Sequence, residues 1–72
     1  QLLIYPNPAS DYVYIKNLKG KANYKVFDNS GRLILQDSSD KNKIDIRTLT
    51  KGNYYLLVET KDMVKTFKIL KN

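Results

Sequence analysis

The sequence predicts an all-β domain, a small antiparallel sandwich of about seven short strands. Three observations carry that expectation. Apolar and polar positions alternate in short runs, as in Val13 and Ile15 on one face against Tyr12 and Tyr14 on the other. Turn-forming residues break those runs at regular spacing: Pro6-Asn7-Pro8, Gly20, the stretch Asp28 to Gly31, and Gly52. No capped segment with apolar residues at helical spacing is present, and β-branched residues and tyrosines dominate.

Taken in order, Leu2 to Tyr5 is a short first strand ending at a stiff corner. Pro6 and Pro8 each fix φ, remove a backbone donor and push the preceding residue away from helix, so Asn7 sits in a turn or polyproline setting. The second strand is Tyr12 to Lys16, with Leu18 as a last inward contact, and Gly20 sits in the connection that follows. Tyr24 to Phe27 is the third strand, Tyr24 and Val26 sharing a face. Asp28-Asn29-Ser30-Gly31 then predicts a tight hairpin into Arg32 to Gln36, Asp28 bonding the backbone ahead and Gly31 taking positive φ.

Asp37 to Asn42 reads as a polar loop leading into a short strand at Lys43 to Ile46. Leu49 is an isolated apolar residue before Gly52, suited to plugging one end of the core. Asn53 to Thr60 is the strongest strand: Tyr54, Leu56 and Val58 share one face. Tyr55 and Leu57 make its other face apolar too, which implies a central strand partly covered on both sides. Lys61-Asp62 is a turn, and Val64 to Leu70 returns with Phe67 and Ile69 opposite Thr66, Lys68 and Leu70.

With 72 residues the chain is one domain, residues 1–72, and it reads as a piece of a longer protein because it opens inside an apolar strand without Met. Cysteine and histidine are both absent, which removes disulfides, thiol chemistry and the commonest general base and metal ligand. No apolar run approaches the ~20 residues of a membrane-spanning helix. The net charge is +6, but the lysines are scattered singly along the strands. That pattern discourages sheet edges from aggregating and argues against a nucleic-acid partner, which needs a concentrated basic face.

The remaining polar groups do not assemble a catalytic set. Asp37, Asp40, Asn42 and Asp45 could supply oxygens to calcium, yet their spacing lacks the central glycine and closing glutamate of a calcium loop, and Lys41 and Lys43 intervene. A solvated loop is the expectation. The sequence has a single glutamate, Glu59, so a glutamate pair for glycoside hydrolysis is missing. Hence no catalytic residue, metal or cofactor is expected. Six tyrosines leave a carbohydrate-binding module, or a structural accessory module of an extracellular enzyme, as the alternative class of function.

Four elements in order resemble one family. Tyr5-Pro6-Asn7-Pro8-Ala9 with Asp11 resembles the entry motif of the type IX (Por) secretion C-terminal sorting domains of type A. Asp28-Asn29-Ser30-Gly31-Arg32 is similar to their central hairpin. Leu49 followed by Gly52-Asn53-Tyr54 resembles their third motif, and Lys65 to Asn72 resembles their lysine-bearing last strand. The resemblance implies an immunoglobulin-like sandwich at the C-terminus of a secreted protein of Bacteroidetes-type bacteria. It also implies recognition by an outer-membrane translocon and its shuttle proteins, and cleavage by a sortase-like peptidase. The cargo would pass through the periplasm to the cell surface or the medium. Under this reading Pro6, Asn7, Pro8, Lys68 and Lys71 are candidate recognition residues. Asp11, Gly31, Gly52 and Tyr54 are motif residues that set the fold, and an exposed edge of the last strand could pair with a partner strand or a second copy.

Overall fold

The computed structural model describes residues 1–39 and 42–72, which form seven strands and no helix. The strands are β1 (Leu3–Tyr5), β2 (Tyr12–Lys16), β3 (Ala22–Asp28), β4 (Leu33–Ser39), β5 (Lys43–Asp45), β6 (Gly52–Glu59) and β7 (Val64–Lys71). They make a three-stranded sheet in the order β1-β2-β5 and a four-stranded sheet in the order β4-β3-β6-β7, every pairing antiparallel. That order, with the first, second and fifth strands facing the fourth, third, sixth and seventh, is the immunoglobulin-like sandwich.

Alternation decides which side chains meet between the sheets. Ile4 pairs with Ile15 and Val13 with Ile44, so the inner face of the smaller sheet is a continuous aliphatic surface. From the larger sheet come Tyr24, Val26, Leu56, Val58 and Ile69, all at most 3% exposed. Ile46 and Leu49 join this core from the segment after β5, Leu49 with its N–H donating to the Ile46 carbonyl at 3.1 Å. The Asp28 hairpin joins β3 and β4 as the sequence predicts.

One strand expectation is corrected. Asp37 to Ser39 extend β4 instead of opening a loop, because Ala22, Asn23 and Tyr24 of β3 offer the backbone partners Ser39, Ser38 and Asp37. A ladder of main-chain hydrogen bonds needs no apolar side chain, which is why a polar stretch hides a strand end from pattern reading. Strand β6 is central in its sheet as expected, and the cover of its outer face is only partial: Leu57 is half-buried and Tyr55 is 36% exposed.

Candidate functional site

The proline corner moves the chain from one sheet to the other. Before it, β1 pairs with β2; after it, Ala9 makes a parallel bridge to Lys71 at the outer edge of β7. Two prolines supply no N–H to such a ladder. The side-chain amide of Asn7 takes that place: its Nδ2 donates to the Lys68 carbonyl at 2.9 Å, and its Oδ1 accepts from the Leu70 N–H at 3.0 Å. The main chain then takes over, the Ala9 N–H donating to the Leu70 carbonyl at 2.9 Å and the Asn72 N–H to the Ala9 carbonyl at 2.8 Å. Asn7 thus mimics a peptide unit between two residues that lack the donor. Ala9 is fully buried beneath this seam.

The structure therefore brings Pro6, Asn7, Pro8 and Lys68, all exposed, to one side of the domain across more than sixty residues of sequence. The last two candidate lysines separate. Lys68 points outward, whereas Lys71 shares the inward parity of Ile69, is 8% exposed, and donates through Nζ to the Ser10 carbonyl. Lys71 is thus a tie between the last strand and the corner, not a charged tag at the end of the chain. Sequence reasoning missed Ala9, Ser10 and Leu70; the signal was the asparagine locked between prolines, which has to find its partners outside its own segment.

The motif residues hold turns and loops elsewhere in the sandwich. Asp28 accepts from the N–H of Ser30 at 2.9 Å, from Ser30 Oγ at 2.6 Å and from the N–H of Arg32 at 3.0 Å. These bonds, the Ser30 hydroxyl first and the Arg32 N–H next, hold its carboxyl below the usual range. Gly31 closes the hairpin at φ 89°, and Gly52 opens β6 at φ 146°; a Cβ at either would meet open space, so the requirement is conformational. Tyr54, 7% exposed, donates its hydroxyl to the Thr50 carbonyl at 2.7 Å and so fixes the loop before β6. Asp11 acts through its carbonyl, which accepts the Ile46 N–H at 2.9 Å.

On the outer face of the smaller sheet, Tyr5 and Tyr14 stack at 5.4 Å between ring centroids. Tyr12 lies under Lys43 at 4.1 Å and Arg47 at 5.2 Å. Arg47 also grips Asp45 through Nε at 3.0 Å and Nη2 at 2.8 Å, and this fork, followed by the Arg47 N–H, draws the Asp45 carboxyl down to about 2. Of the calcium candidates, Asp45 is thus engaged by Arg47, Asp37 accepts from the Ser38 N–H at 2.7 Å, and Asp40 lies outside the described residues.

One similar solved structure is that of PorZ, an essential bacterial surface component of the type-IX secretion system of the human oral-microbiomic Porphyromonas gingivalis. It matches with a TM-score of 0.75 over 99% of this chain at 23% identity, a likeness of fold. The chain spans 11% of that protein. No curated protein matches the chain in sequence. The family model described as the secretion system C-terminal sorting domain matches residues 3–72, nearly the full length and all four motif regions. The chain belongs to this family of C-terminal sorting domains, the sorting signals of the type IX secretion system.

Proposed function

We propose that the corner and the last strand are read together, as one preformed surface, by the outer-membrane translocon and shuttle proteins of the secretion apparatus. The attached cargo passes through the periplasm, crosses the outer membrane, and is then separated from the domain by a sortase-like peptidase or left at the surface. The domain contributes binding and no catalysis. The observation that supports this reading is the Asn7 staple, which makes the most family-like segment at the start and the lysine-bearing strand at the end a single rigid patch. Rigidity matters because a receptor that meets an ordered surface loses little conformational entropy on binding.

Transfer of export to a neutral protein tests the reading. Residues 1–72 are fused behind a fluorescent reporter carrying an ordinary export signal, in a host with a type IX apparatus. Fluorescence at the surface or in the medium, absent from the reporter alone, is the expected result. A folded fusion held in the periplasm would overturn the reading.

A further inference from the structure

The outer face of the larger sheet carries a partly exposed apolar patch. Strand register places Leu33, Phe27, Tyr55 and Lys68 in one row across all four strands. The next row is Gln36, Lys25, Leu57 and Thr66. Leu33 is 45% exposed, Tyr55 36% and Leu70, two residues along from Lys68 on the same face, 43%, with Phe27 and Leu57 half-buried in these rows; Ile34, at the bulge beside Leu33, is 39% exposed. The tyrosines of the opposite sheet are engaged by stacking and by cations; Phe27 and Tyr55 have no ring or cation contact among the described residues. An exposed apolar patch with aromatic residues on one sheet face is the kind of surface that a protein partner covers.

Charge indicates what covers it. Lys25 and Lys68 stand on this face with no ion pair among the described residues, the two ion pairs there being Arg32–Asp28 and Arg47–Asp45. Glu59 sits at the margin, opposite Val64. A second copy would bring another chain of net charge +6 against these lysines. We propose that this face docks a protein of the secretion apparatus that presents aliphatic or aromatic side chains ringed by carboxylates, and that it meets the Asn7 seam at Lys68 and Leu70. The inference rests on the sorting reading for its partner and assay.

The test is competition for export. A host exports the reporter fused to the 72-residue chain while a non-fluorescent copy of the chain, also sent to the periplasm, is induced in increasing amount. Three competitors are compared: the parent, Leu33→Thr with Tyr55→Thr, and Lys25→Glu. Each is checked by thermal melting and light scattering. The parent competitor lowers reporter export, and each folded variant requires about tenfold more protein for the same effect. Lys25→Glu leaves the apolar residues intact and decides the matter should the double variant not fold. Folded variants that compete as well as the parent overturn the proposal, as does a parent dimer that Leu33→Thr with Tyr55→Thr dissociates, since a second copy would then own the face. A reporter that never leaves the periplasm removes the sorting reading, and this inference with it, and is recognised before any competitor is induced.

Discussion

Replacing Asn7 with alanine removes both hydrogen bonds that carry the corner across to the last strand, to the Lys68 carbonyl and from the Leu70 N–H. A net worth of about 0.5–1.5 kcal/mol each gives a loss of about 1–3 kcal/mol, and solvent access to these groups favours the lower half, about 1–2 kcal/mol. For a domain of this size that lowers the melting temperature by roughly 5–15 °C. Asn7→Asp separates the two bonds: its carboxylate still accepts from Leu70 but cannot donate to Lys68, and it sets a negative charge against that carbonyl. It should therefore lose at least half as much as alanine does. Urea titration monitored by circular dichroism measures both, with an unchanged m-value showing that the folded state keeps its extent. If Asn7→Ala unfolds within about 0.3 kcal/mol of the parent, the amide is not acting as a surrogate peptide unit and the reasoning fails.

Leu56 is fully buried on the central strand β6, so Leu56→Ala should cost about 2–5 kcal/mol. That is comparable to the whole stability expected for a chain this short, and the variant should be largely unfolded by near-ultraviolet dichroism at 37 °C. Acid provides a separate check on the carboxylates. Asp28 and Asp45 both ionise more readily when folded, so their stabilisation is complete above the ordinary value of 3.8 and is lost as pH falls through the folded value, about 2 for Asp45. The melting temperature should stay level down to about pH 5 and drop below pH 4, and Asp45→Asn should make that acid drop smaller. An equal drop in the variant would show that the Arg47 fork contributes nothing to folding.

The strands were legible because one face of each is buried and alternation reports that burial directly: Val13 and Ile15, Ile44 and Ile46, Leu56 and Val58. Asp28 and Gly31 were equally readable, since a tight hairpin draws its partners from its own few residues. What escaped the sequence is non-local. The partners of Asn7 lie more than sixty residues away, and no local pattern says which strand edge a proline segment will join. Lys71 looked like a terminal charge, yet strand parity turned it inward onto the Ser10 carbonyl. The far end of β4 was hidden for the opposite reason, being held by main-chain pairing that leaves no mark on side-chain chemistry.

The structure also decides how the proposed recognition surface is best probed. Deleting Lys68 to Asn72 would remove Ile69, which is 1% exposed, and both partners of Asn7, so lost export could simply report an unfolded domain. Surface substitutions avoid this: Lys68→Glu with Leu70→Thr changes two exposed side chains and leaves the backbone bonds of the seam in place. The direct measurement is the fraction of reporter that reaches the surface or medium with this variant, at a melting temperature within a few degrees of the parent. Recognition of the seam, together with the sheet face that meets it at Lys68 and Leu70, predicts that the fraction falls to the level of the reporter alone. Export equal to that of the parent would contradict it.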